Sequence, residues 1–149
     1  RSTLFPYTTL FRSLAELLLV LFFIRRKTGH FAQPAKASHV ASRKLQRLKN
    51  RLSGDLSPME CYTELSSIMR EYLERHYRIR ALEAVTREIE CDLSRLGVSS
   101  FDSIVTLLRQ ADLVKFADSR PSVEESRNSI LLAEKIVQRA RNDVAGHRF

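Results

Sequence analysis

The chain has 149 residues, a length that suits one domain. Its 25 lysines and arginines against 17 acids give a formal charge of +8. The excess is uneven: residues 1–51 hold eleven basic residues and one acid, Glu16, while residues 52–149 hold fourteen basic and sixteen acidic residues. A basic leader and a near-neutral body argue against a nucleic-acid binder charged throughout. The lack of tryptophan, with only four glycines and four prolines, disfavours a loop-rich β fold and suits helices.

The segment Thr3 to Ser13 reads TLFPYTTLFRS, which is the codon-by-codon translation of a common short-read sequencing adapter. Residues 1–13 are therefore expected to be adapter-derived and carry no functional weight here. A native amphipathic arm is the alternative, and resequencing the source DNA separates the two. Leu14 to Ile24 then reads LAELLLVLFFI, with Glu16 its only charge, and Arg25, Arg26 and Lys27 follow at once. A membrane span needs about 20 apolar residues, so this run is expected to be the C-terminal half of a truncated transmembrane helix (14–27). Its basic flank would mark the cytoplasmic end. A signal peptide fits the length, but its charges would lie on the wrong side and no small-residue cleavage site follows. A helix buried in a soluble core is the third reading.

Residues 28–41 contain Gly29, Pro34 and small polar residues, and read as a linker before a helical domain over 42–143 and a tail over 144–149. Val40, Leu45, Leu48 and Leu52 keep helical spacing among Arg43, Lys44, Arg47, Lys49 and Arg51. This basic amphipathic helix can touch anionic lipid head groups. It can equally be a solvated face of a helix packed on the body. A soluble helical nucleic-acid-binding regulator using 43–51 is the alternative function, although no stacking aromatic or recognisable motif accompanies the charges.

The body is clearly punctuated. Ser57, Pro58 and Glu60 form a helix start with a capping box. The helix should run to about Tyr77 with Met59, Tyr62, Leu65, Ile68, Met69, Tyr72 and Leu73 inward. Residues 78–84 lack a helical stripe and should cross over as a loop. Thr86 offers the next cap, Ile89, Leu93 and Leu96 the buried side, and Gly97 the stop. Ser99 opens a further helix whose apolar face is Phe101, Ile104, Val105, Leu108, Ala111, Leu113 and Phe116. Pro121 breaks it, and Ser122 with Glu125 caps the last helix, which carries Ile130, Leu131, Ala133, Ile136, Val137 and Ala140. No run alternates with period two. The expected fold is all-α, a small bundle of four to five helices preceded by the truncated transmembrane helix.

No residues for a chemical step stand out. Cys61 and Cys91 lack metal or redox spacing and read as small buried hydrophobes. The four histidines do not pair at ligand spacing, and His76 reads as an interfacial side chain. There is no glycine-rich phosphate loop, GxSxG or HExxH. The expectation is a protein that is not an enzyme and has no cofactor, metal or catalytic residue.

Two stretches are more specific. Tyr62-Thr63-Glu64-Leu65-Ser66 leads into Arg70-Glu71-Tyr72-Leu73-Glu74-Arg75, and Ile79-Arg80-Ala81-Leu82 precedes the Thr86 helix start. Later comes Ala111-Asp112-Leu113-Val114-Lys115-Phe116-Ala117, then Arg120-Pro121. This order resembles the cytoplasmic C-terminal domain of membrane proteins of bacterial Bat (aerotolerance) operons, of the BatD type and its short single-span relatives, over about residues 42–141. His76-Tyr77 departs from an aromatic followed by Gly, Arg80 from a usual Pro, and Val85-Thr86 from a double Thr. The resemblance implies a bacterial inner-membrane location with the domain facing the cytoplasm. It also implies partners among MoxR-type AAA+ ATPases and von Willebrand A-domain membrane proteins, and an accessory role. On the residues alone, the second stretch either locks the last two helices together or is a docking surface through Asp112, Lys115 and Arg120. Charge reversal at Lys115 and Arg120 is then expected to weaken partner capture without unfolding.

Overall fold

A computed structural model describes residues 34–54, 56–117 and 119–146. The expectations placed on residues 1–33, including Arg25, Arg26 and Lys27, lie outside them. Among the described residues there are five helices and no strand. They are α1 (Pro34–Leu52), α2 (Pro58–Tyr77), α3 (Thr86–Arg95), α4 (Phe101–Phe116) and α5 (Val123–Gly146).

Helix α1 begins inside the segment 28–41 that reads as linker. Pro34 is its first residue, where a missing N–H costs nothing, so the proline starts a helix rather than breaking one. Ala37, Ser38 and Ala41 are buried along with Leu45, Leu48 and Leu52. These small residues continue the inward stripe by two turns and let neighbouring helices approach closely.

Ser57 caps α2 as the spacing predicts. Its hydroxyl accepts from the Glu60 N–H while the Glu60 carboxylate accepts the Ser57 N–H at 3.0 Å. The same reciprocal pair closes the start of α5 between Ser122 and Glu125. Helix α2 ends at Arg78, which takes the left-handed conformation (φ 59°) and turns the chain into the crossover. Helix α3 ends on Gly97, also left-handed at φ 62°, with the Val98 N–H reaching back to the Leu93 carbonyl.

Helices α1, α2, α4 and α5 form a ring in which α1 packs on α2 and α5, and α4 packs on α2 and α5. Helices α2 and α5 also touch across the middle, and the short α3 lies against α4. Tyr62, Leu65, Met69, Leu73, Ile104, Leu108, Ile130 and Val137 are among the residues filling the centre. Inside it, the Tyr62 hydroxyl and Ser129 Oγ lie 2.8 Å apart, and Ser129 reaches Gln110, so α2, α5 and α4 share one polar contact chain. Among the described residues, no helix is long and apolar enough to cross a membrane.

Four apolar positions depart from the sequence reading. Met59, Leu96, Leu113 and Phe116 are all at least half exposed, and Leu107 and Val114 are buried in their place on α4. Helical period identifies an apolar stripe but not where neighbouring helices stop. Leu113 points away from the ring, and Phe116 is the last residue of α4.

Candidate functional site

The two stretches that carry the family resemblance meet in space. From α2, Arg70 donates to the carbonyls of Ala81 (3.1 Å) and Ala84 (2.5 Å) in the crossover and to Thr86 Oγ1 (2.9 Å) at the head of α3. The Thr86 hydroxyl in turn donates a hydrogen bond to Asp112 Oδ2 of α4 at 2.5 Å. Arg70 is itself 3.9 Å from Asp112 Oδ1. Lys115, one turn on, sits 3.7 Å from the same carboxylate oxygen and reaches Ser66 Oγ of α2 at 3.5 Å. Its ammonium also lies 5.1 Å from the centre of the Phe116 ring, within cation–π range. Nearby, Glu74 accepts the Leu82 N–H at 3.0 Å.

Of the three expected docking residues, the structure brings Asp112 and Lys115 together and places Arg120, exposed, in the segment before α5. The Arg70 and Lys115 side chains are only 14% and 20% exposed, so both charges are largely withdrawn from water. The network ties α4 to α2 and to the start of α3. The same stretch also contributes Ala111 and Val114 to the core, where α4 packs on α5. Chemically it is a brace: a guanidinium holds two crossover carbonyls, a hydroxyl relays to a carboxylate, and an ammonium closes the carboxylate's other side.

Sequence reasoning missed Arg70, Thr86 and Glu74. Ser66, Arg70 and Glu74 stand four residues apart along α2, a polar line beside the apolar stripe that signals an inward polar seam. Thr86 has the side chain of a cap. The cap position falls instead to Val85, whose N–H bonds the Glu88 carboxylate, because the Thr86 hydroxyl is engaged by Arg70 and Asp112.

An open groove of about 720 Å³ runs between α3 and α4, lined in part by Arg87, Glu90, Cys91, Arg95, Phe101 and Arg109. Two of its arginines are already paired, Arg109 with Glu90 at 2.6 Å and Arg95 with Asp92 at 3.5 Å. Cys91 is exposed there rather than buried, whereas Cys61 is buried and desolvation pushes its thiol up to about 11. The His76 ring lies between those of Tyr72, tilted to it at 5.0 Å, and Tyr77, edge-on to it at 4.6 Å. Burial raises the pKa of both tyrosines. No group of three His, Cys, Asp or Glu able to hold a metal occurs among the described residues.

The basic helix 43–51 divides into two sets of cations. Lys44 pairs with Glu71, Lys49 with Glu134 (3.3 Å) and Arg51 with Glu64 (2.6 Å), all acids of α2 or α5. Arg43 and Arg47 point outward and carry no ion pair to a described residue. Three of the cations are thus engaged within the fold, and no aromatic platform accompanies the outward pair, which weakens the nucleic-acid alternative. No protein-family model matches the chain, and neither a curated protein nor a solved structure is significantly similar to it.

Proposed function

We propose that the helical domain is a non-enzymatic docking module held at the bacterial inner membrane, facing the cytoplasm. In this reading the apolar run 14–24 with Arg25, Arg26 and Lys27 belongs to its transmembrane anchor. Its partners are a MoxR-type AAA+ ATPase and von Willebrand A-domain proteins, as expected of a Bat-operon accessory domain.

One observation carries the docking reading. Leu113 and Phe116 stand 56% and 80% exposed on the same side of α4, interleaved in sequence with the brace residues Asp112 and Lys115. Apolar side chains held on a rigid, braced surface suit protein contact, where a few such anchors supply most of the affinity. The resemblance supports the choice of partner, since Leu113 and Phe116 belong to its more specific stretch. The brace also changes which variants are informative. Lys115 is engaged within the fold, so reversing its charge would disturb the domain as well as any partner.

The test is retention of the purified ATPase by the full-length protein in membranes. Leu113→Ser with Phe116→Ser should lower retention roughly 30-fold and leave stability within about 0.5 kcal/mol. Unchanged retention by the double variant rejects this docking face, and no retention by the wild type rejects the partner.

A further inference from the structure

Helix α1 carries six lysines and arginines and no acid. The structure separates them by direction. Lys44, Lys49 and Arg51 turn sideways onto acids of α2 and α5. Lys36, Arg43 and Arg47 are all exposed, and none pairs with a described residue. They lie seven and four residues apart, which places them within about 40° of one line down the helix. His39 and Asn50 fill the same outward side, so it bears no negative charge.

We propose that this outward stripe, Lys36, Arg43 and Arg47, is a contact face for an anionic lipid surface that lays α1 along the membrane. The inference rests on the membrane-held reading above. Two observations choose lipid over other polyanions. Lys36 follows Lys27 by nine residues, so the chain cannot carry the first cation of the stripe further than roughly 30 Å from the basic triplet beside the apolar run. Tethering at that range raises the effective concentration of head groups far above that of any free partner. The stripe is also a flat line of flexible cations without aromatic platforms, which suits a diffuse negative surface better than a stacked or grooved nucleic acid.

The experiment mixes the full chain with vesicles of phosphatidylcholine alone or of phosphatidylcholine with phosphatidylglycerol, and measures co-sedimentation. The apolar run contributes to both lipids, so the ratio of the two partition coefficients isolates the stripe. The wild type should favour the anionic vesicles, and added salt should erode the preference. The variant Lys36→Gln, Arg43→Gln, Arg47→Gln should lower the anionic partition roughly 100-fold, taking each cation near the surface at its usual worth. Arg43→Gln alone should lower it roughly fivefold, a milder change should the triple variant lose its helical signal. Replacing Lys44, Lys49 and Arg51 with glutamine should leave the lipid preference in place.

Equal binding of the wild type to both vesicles overturns the stripe while leaving a membrane anchor standing. No binding to either overturns the membrane reading and the stripe with it. Loss of preference in the Lys44, Lys49 and Arg51 variant as large as in the stripe variant shows that the direction of the cations is irrelevant, and overturns the inference. A salt-dependent shift of duplex DNA abolished by the stripe variant, without anionic lipid preference, overturns it in favour of nucleic acid.

Discussion

Replacing Arg70 by methionine tests whether the brace holds the domain together. The guanidinium makes three hydrogen bonds, to Ala81 O, Ala84 O and Thr86 Oγ1, and stands 3.9 Å from Asp112. Hydrogen bonds from a charged donor are each worth about 1.5–3 kcal/mol, but those sharing one side chain do not add. The side chain is only 14% exposed, so water replaces the lost donor poorly. Methionine keeps the alkyl packing, which leaves a cost of about 3–5 kcal/mol. That is a large part of the roughly 5–15 kcal/mol by which domains are stable. Arg70→Lys keeps the charge but not the fork and should cost about 2 kcal/mol. Urea denaturation followed by the helical far-ultraviolet signal measures both, and an unchanged slope shows that the same surface unfolds. A loss below about 1 kcal/mol in the methionine variant, or a lysine variant as stable as the wild type, would refute the reasoning.

Two further expectations concern capping and the thiols. Ser57→Ala and Ser122→Ala should each cost about 1 kcal/mol, since each removes one half of a reciprocal cap. Their hydrogen bonds hold the Glu60 and Glu125 carboxyls below the usual carboxylate range, in Glu60 mainly through the Ser57 side chain and in Glu125 mainly through the Ser122 backbone N–H. A pKa lowered by folding stabilises above the unfolded value, and that contribution disappears as pH falls through the folded one. The stability gap between the wild type and Glu60→Gln, Glu125→Gln should therefore narrow on acidification; a gap independent of pH contradicts the assignment. For the thiols, a disulfide reagent at mildly alkaline pH should titrate Cys91 quickly and Cys61 only on unfolding. Cys61 is buried with its thiol raised to about 11. Two rapid equivalents in the folded protein would show the Cys61 pocket to be open.

The parts of the fold legible in the sequence were those written locally. Ser57 with Glu60 and Ser122 with Glu125 specify their helix starts within four residues, and the period of α2 and α5 specifies most of their inward faces. What was not legible depends on neighbours distant in sequence. Pro34 resembles a breaker until Ala37 and Ala41 are seen to be buried against other helices. Leu113 and Phe116 fit an apolar stripe, yet no described helix covers that side of α4. Thr86 has the side chain of a cap, but a carboxylate on α4 and a guanidinium on α2 compete for its hydroxyl. Of the candidate site, Asp112 and Lys115 could be named from their stretch. Arg70, the residue that joins them to the crossover, shows in the sequence only as one member of the polar line Ser66, Arg70 and Glu74; its partners, Ala81, Ala84 and Thr86, lie beyond the helix.

In the ring, α1 and α4 occupy opposite corners, each touching α2 and α5 but not each other. Leu113 faces outward from one corner, while Lys36, Arg43 and Arg47 face outward from the other. A ligand on one corner therefore makes no contact that a ligand on the other must displace. With no contact shared between the two faces, a ligand at one adds no direct interaction to the affinity at the other. Occupancy of one would change the orientation and local concentration in which the other is offered, and leave its intrinsic affinity as it was.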